Sequence, residues 1–232
     1  MRLLITLFTH NAYGKFIPEI WERLKDLKIP EDFKIVDRII TTESSEDLIT
    51  DYAIKNDLDC LIYPSERIEI LNKYDKDRKN FSGHTLERMF KIINTRNFYL
   101  DYAKENGYDY LLQIDGDVLP PVDGLIKLYE SGKKYVGAAI KKIVNGKQFY
   151  FVIPDRVKEG KLYECSILGN CFHLEHSDLF DYKYKLPLGD LSKKENHYKT
   201  NPDSFQRGLG YRKGGGRLWC DPTIKCGHLS NI

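Results

Sequence analysis

The sequence has 232 residues, 41% of them hydrophobic, so it can form one good core and is expected to be a single domain over residues 1–232. Its 36 Lys and Arg residues nearly balance 34 Asp and Glu residues, and the net charge of +2 argues against a nucleic-acid-binding protein. The longest apolar stretch near the N-terminus, Leu3 to Phe8, is too short to span a bilayer. We therefore expect a cytoplasmic protein without a transmembrane segment.

The first half of the chain predicts alternating strands and helices. Strands are expected at Leu3 to Phe8, Phe33 to Ile40 and Cys60 to Tyr63. Apolar residues at helical spacing predict helices over residues 17–27, 45–55 and 85–106. The last of these is the longest, and Gly107 supplies its stop.

After that helix, the run Tyr110 to Ile114 predicts a buried strand, and a short helix ending at Gly132 and a strand at Tyr135 to Ile140 follow. This alternation predicts an α/β fold with a mostly parallel sheet covered on both faces. Two antiparallel strands are expected next, at Gln148 to Ile153 and Lys161 to Ile167. The polar stretch from Tyr182 to Pro202 is interpreted as either a substrate lid or a surface loop.

The most informative motif is Asp115-Gly116-Asp117, at the C-terminal end of the predicted buried strand. Ligands of open α/β sheets bind at such strand ends. Two carboxylates separated by one Gly can converge on a divalent cation, and that cation can hold a diphosphate. The alternative is a turn in which an Asp caps the next helix.

Cysteine spacing leaves a second metal hypothesis open. The five cysteines are an odd number, which argues against a disulfide framework. The pairs Cys165/Cys171 and Cys220/Cys226 share one spacing and lie near three histidines, His173, His176 and His228. A zinc cluster is one interpretation; ordinary buried thiols are the other, since the short ligand gaps of zinc sites are missing.

Several short motifs are weak signals alone but indicate a family when they are considered together in chain order. They are Thr95-Arg96-Asn97 on the long helix, Gln113 to Asp117, Gly169-Asn170 with the run to Phe180, Asn201 to Phe205, Arg217 to Pro222, and Cys226-Gly227-His228. Their order resembles GT-A-type glycosyltransferases of the broad family 2 group and the related fungal mannosyltransferase subunits. The resemblance extends over most of the chain, from Leu3 to His228.

The resemblance implies a fold and a set of metal ligands. The fold would be GT-A, with one Rossmann-like central sheet and a smaller antiparallel sheet on the acceptor side. Asp115 and Asp117 would form the DxD motif, with Asp115 near the donor ribose or a metal-bound water and Asp117 on the metal itself. His228 would be the C-terminal metal-ligating His, and the ion would be Mn2+ or Mg2+.

The resemblance also implies donor and base residues. Thr9 at the tip of the first strand, Glu43 after the second and Arg96 on the long helix would contact the nucleotide or diphosphate. Asp203 would be the base that activates the acceptor. From the residues alone, a solvent-exposed Arg96 on the helix surface and an Asp203 that merely begins a helix are the open alternatives.

The expected function is metal-dependent transfer of a sugar from a nucleoside-diphosphate sugar to an acceptor hydroxyl, with inversion. Residues 1–118 would form the donor half and residues 119–232 the acceptor half. Inversion follows from Asp203 as the base, and the choice between inversion and retention is otherwise left open. The nucleotide base, UDP or GDP, and the glycan, protein or lipid-linked acceptor are left open as well. Two rivals remain: a nucleotidyltransferase that makes a nucleotide sugar, and a non-catalytic GT-A-like binding domain.

Overall fold

A computed structural model describes most of the chain. The described residues are 1–9, 11–42, 48–56, 59–62, 86–139, 141–144, 147–150, 152–153, 160–165, 167–168, 171–185 and 210–229. Two of the predicted site residues, Glu43 and Asp203, lie outside these ranges.

Within the described ranges the centre of the fold is an eight-stranded sheet. Its strands are β1 (Arg2–Phe8), β2 (Ile35–Thr42), β3 (Cys60–Ile62), β4 (Tyr110–Asp115), β6 (Tyr135–Ala138), β10 (Tyr163–Cys165), β12 (Phe172–His176) and β13 (Leu218–Asp221). The strand order is β10-β13-β6-β12-β4-β1-β2-β3. The pairings β3–β2, β2–β1, β1–β4 and β6–β13 are parallel, so the expected α/β fold with a mostly parallel sheet is confirmed.

Helices cover both faces of this sheet. Those in the described ranges are α1 (Ile17–Lys25), α2 (Leu48–Lys55), α3 (Leu86–Glu105) and α4 (Gly124–Glu130). Leu112 on β4 belongs to the apolar cluster that contains α1, whereas its neighbour Leu111 belongs to the cluster that contains α3. Because successive strand residues point to opposite faces, β4 is buried on both sides, as its continuous apolar run predicts.

Strand β12 was not predicted from the sequence. It lies antiparallel between β4 and β6, which places the second half of the chain inside the same sheet as the first. In its register with β4, His173 pairs with Gln113 and Leu174 with Leu112. His173 and Glu175 therefore share one face of the sheet with Gln113.

Three two-stranded sheets complete the described fold. Strand β7 (Lys141–Val144) pairs with β8 (Lys147–Tyr150), β9 (Val152–Ile153) with β11 (Ile167–Leu168), and β5 (Val118–Leu119) with β14 (Gly227–His228). All three pairs are antiparallel. No helix in the described part of the chain is both long and apolar enough to cross a membrane.

Candidate functional site

The site lies where β1 and β4 end side by side. These parallel strands are in register, with Phe8 opposite Asp115, so the DxD turn packs against the residue that follows β1. That residue is Thr9, which is buried. A Cβ atom on Gly116 would lie 2.7 Å from Thr9 Oγ1 and 2.9 Å from the Phe8 carbonyl oxygen. The close approach of the two strand ends therefore requires the glycine between the carboxylates.

Asp117 meets the C-terminal segment of the described chain. Strands β5 and β14 pair with His228 opposite Val118, and the backbone N–H of Leu229 donates to the Asp117 carbonyl oxygen at 2.8 Å. This pairing brings His228 Nε2 to 3.5 Å from Asp117 Oδ2. The side chains are only 7% and 9% exposed, respectively, so an imidazole and a carboxylate face each other at the edge of the core.

Arg96 is an interior residue and not a solvent-exposed one. It projects from α3, is 3% exposed, and its Nη2 donates to Asp115 Oδ1 at 2.7 Å. Aromatic rings flank the guanidinium: its Cζ lies 5.3 Å from the centre of the Phe8 ring and 5.8 Å from that of Tyr184. The exposed alternative for Arg96 is therefore wrong, and the residue is held at the DxD motif.

A buried polar network extends from Arg96 into the sheet. Arg96 Nη1 donates to Gln113 Oε1 at 3.3 Å, and Gln113 Nε2 donates to Glu175 Oε1 at 2.9 Å. The same carboxylate oxygen lies 2.7 Å from His173 Nε2 and accepts from Tyr184 Oη at 3.3 Å. Gln113, His173 and Glu175 are fully buried. This network was not predicted from the sequence; polar residues inside the otherwise apolar runs of β4 and β12 were the available signal.

A thiol also lies beside the two carboxylates. The backbone carbonyl of Cys171 accepts from the Asp115 N–H at 2.9 Å. Burial, and then the charges of Asp115 and Asp117, raise the pKa of the Cys171 thiol well above its ordinary value, and Arg96 opposes the shift. The protonated thiol is therefore favoured, and it can donate a weak hydrogen bond to Asp115.

The DxD turn does not cap a helix in the manner of the alternative interpretation. The helix that follows, α4, begins at Gly124 with Asp123 as its N-cap residue, several residues beyond Asp117. The carboxylate of Asp117 is instead directed at His228, and that of Asp115 at Arg96. The helix-capping interpretation of Asp117 is therefore wrong.

The side chains of Asp117 and His228 present one oxygen and one nitrogen atom, both of kinds that ligate divalent ions. Neighbouring ligands around Mg2+ at about 2.1 Å lie roughly 3 Å from each other, close to the separation of Asp117 Oδ2 and His228 Nε2. Among the described residues, no group of three His, Cys, Asp or Glu side chains is arranged to hold a metal. Asp117 and His228 thus supply two ligand atoms at a spacing compatible with one divalent ion.

Comparisons with known proteins support the fold. No protein-family model and no curated protein sequence matches the chain. Among solved structures, residues 1–349 of S. aureus TarS in complex with UDP-GlcNAc superpose with a TM-score of 0.56 at 15% identity. The alignment covers 100% of this chain and 61% of that one. The complex of the same fragment with UDP gives a TM-score of 0.55 at 15% identity, covering 97% of this chain and 60% of that one.

These similarities confirm the GT-A-like fold predicted from the sequence. The chain spans about three fifths of the TarS fragment it matches. The strand order of the central sheet and these structural similarities together give the chain a GT-A-like α/β fold.

Proposed function

We propose that the protein is a metal-dependent glycosyltransferase that uses a nucleoside-diphosphate sugar as donor. The observation that carries this proposal is the meeting of Asp117 and His228 at the C-terminal edge of the β1–β4 pair, beside the Arg96–Asp115 ion pair. Ligands of open α/β sheets bind at this edge. The solved complexes of TarS with UDP-GlcNAc and UDP, which share the fold, support a uridine nucleotide as the first donor to test.

Each residue has a distinct role in the proposal. Asp117 and His228 hold Mn2+ or Mg2+, and the bound ion would supply Lewis-acid charge toward the leaving diphosphate. Asp115 is directed at the donor ribose or a metal-bound water, and Arg96 fixes its orientation. Thr9, which packs against the Gly116 turn, contacts the nucleotide, and Glu43 contacts the base or ribose.

For the acceptor, we propose Asp203 as the base that takes the proton from the attacking hydroxyl, with inversion at the anomeric carbon. Residues 1–118 would supply most of the donor site and residues 119–232 the acceptor side. General-base assistance is worth roughly 10²- to 10⁴-fold, whereas orienting two substrates contributes on the order of 7 to 11 kcal/mol. The donor site should therefore dominate catalysis.

Metal-dependent nucleotide binding is the experiment that tests this function. We expect UDP or GDP to raise the melting temperature only with Mn2+ or Mg2+ present, because a ligand that binds only the folded state stabilises it by mass action. Equal stabilisation in the presence of a chelator would contradict the metal site. No stabilisation by any nucleoside diphosphate would contradict the function.

The role of Asp203 has its own test. The variant Asp203→Asn removes the base but keeps the side-chain shape, so donor binding should persist while transfer falls by roughly 10²-fold or more. We would measure transfer as the release of the nucleoside diphosphate. The donor would be a nucleotide sugar that carries the base selected in the melting experiment. An unchanged rate with bound donor would assign Asp203 to the start of a helix.

A further inference from the structure

We propose that Glu175 is a positioning residue of the donor site, acting on Asp115 through Arg96. The inference rests on the proposed function for its consequence in donor binding. Glu175 lies on β12, in the interior of the sheet, where its carboxylate contacts Gln113, His173 and Tyr184. Its influence would be transmitted through the two groups that both it and Arg96 contact.

The first of these groups is the Gln113 amide. Its oxygen accepts from the Arg96 guanidinium at 3.3 Å, and its nitrogen donates to Glu175 Oε1 at 2.9 Å. A cation on one side and an anion on the other fix which way the amide points, since only its nitrogen donates and only its oxygen accepts. Glu175 thereby directs an acceptor at Arg96.

The second group is the Tyr184 side chain. Its hydroxyl donates to Glu175 Oε1 at 3.3 Å, and its ring centre lies 5.8 Å from Arg96 Cζ. Asn97 holds the backbone of the same residue, accepting from the Tyr184 N–H at 2.7 Å and donating to its carbonyl at 3.0 Å. The ring that covers Arg96 is thus held at its hydroxyl by Glu175 and at its backbone by α3.

The burial of Glu175 and Arg96 supports a positioning role for this network. Glu175 is fully buried, and Arg96 is 3% exposed. Burying a carboxylate is unfavourable unless hydrogen bonds and charges compensate it, and apolar residues often replace such groups without loss of stability. A glutamate that joins Gln113 and Tyr184 instead fixes the guanidinium from two directions. The guanidinium can then hold Asp115 Oδ1 in one orientation, ready for the donor.

A charge exchange within the network tests the inference. Gln113→Glu alone would set two buried carboxylates against each other, and Glu175→Gln alone would remove the anion. The double variant Gln113→Glu/Glu175→Gln keeps one carboxylate and one amide in the same chain of hydrogen bonds. We expect each single variant to bind UDP with Mn2+ about tenfold more weakly, as for one lost hydrogen bond to a charged group, and the double variant to recover most of the affinity.

The matched control is Tyr108→Phe. Tyr108 is also buried, and its hydroxyl donates to Asp37 Oδ2 at 2.6 Å, but it precedes β4 at the opposite edge of the sheet. This variant should lower stability and leave the affinity for UDP and Mn2+ unchanged. If the single network variants bind UDP and Mn2+ like wild type, Glu175 has no positioning role.

A second measurement needs no nucleotide. If the network joins Glu175 to Asp115, the losses in urea midpoint caused by Glu175→Gln and Asp115→Asn should not add in the double variant, because both residues constrain Arg96, Asp115 directly and Glu175 through Gln113 and Tyr184. Additive losses would overturn the inference even if wild type binds the nucleotide. Non-additive losses in a protein that binds no nucleoside diphosphate would support the network and contradict the proposed function.

Discussion

At the scale of single residues, the glycine of the DxD motif is a packing requirement. The backbone of β1 and the side chain of Thr9 come so close to Gly116 that a Cβ atom there would meet three atoms within 3.0 Å. The backbone positions of Asp115 and Asp117, on either side of Gly116, are consequently fixed. Asp115 turns toward α3 and Asp117 toward the C-terminal segment.

We therefore expect Gly116→Ala to destabilise the protein by about 1–3 kcal/mol, the usual cost of forcing an extra carbon into a packed site. Metal-dependent UDP binding should weaken as well, because the turn must shift to relieve the contact. Urea denaturation and titration calorimetry measure the two effects. The control is Gly210→Ala, where a Cβ atom would meet nothing within 4 Å. Similar behaviour of both variants would contradict the packing argument.

At the scale of elements, α3 both carries Arg96 and tethers the chain beyond β12. Asn97, one residue further along α3, makes two hydrogen bonds to the backbone of Tyr184. Helix α3 thus fixes the DxD carboxylate and the aromatic ring over the guanidinium from adjacent positions.

Asn97→Ala should release this tether. Losing two half-buried hydrogen bonds is expected to cost about 1–3 kcal/mol. Hydrogen exchange of the Tyr184 amide should accelerate, since its acceptor is removed. The matched control is Asn106→Ala, directly after α3, whose side-chain amide donates to the nearby Tyr102 carbonyl oxygen at 2.8 Å in an exposed position. Unchanged protection at Tyr184 in Asn97→Ala would refute the tether.

Much of the element order could be predicted from the sequence, because long apolar runs and helical spacing are local signals. The strands before Asp115 and the helix over residues 86–105 were predicted within a few residues. Strand β12 was missed because His173 and Glu175 interrupt its apolar pattern, and their burial depends on partners far away along the chain. The single run predicted over Gln148 to Ile153 became β8 and β9.

The same distinction between local and distant signals holds for the site. Asp115, Asp117 and His228 were indicated by short motifs that resemble a family, and the structure brings Asp117 and His228 together. The network through Gln113 and Glu175 needs the antiparallel register of β4 and β12, which no local pattern reveals. The roles of all these residues remain predictions.

In the molecule as a whole, the sheet is buried on both faces. The packed layers on the two faces restrain the ends of its strands. Leu111 and Leu112 are adjacent and both fully buried, one packed with α3 residues and the other in the cluster that includes α1. A site built at the edge of such a sheet rests on packed layers above and below it.

Leu111→Ala and Leu112→Ala should therefore each lower the free energy of unfolding by about 2–5 kcal/mol, the range for removing a buried leucine. Ile54→Ala is the control, since that residue is 74% exposed. Chemical denaturation compares the three. If either leucine variant were as stable as the control, the sheet would not be covered on that face.

In the proposed function, Asp117 and His228 hold a divalent ion for a nucleoside diphosphate. Pulsed electron paramagnetic resonance of Mn2+ bound with UDP tests it most directly, because the method detects nitrogen nuclei that ligate the ion. We expect a histidine nitrogen coupling in wild type, retained in His176→Gln and absent in His228→Ala. A Mn2+–UDP complex without that coupling, or with an unchanged coupling in His228→Ala, would contradict it.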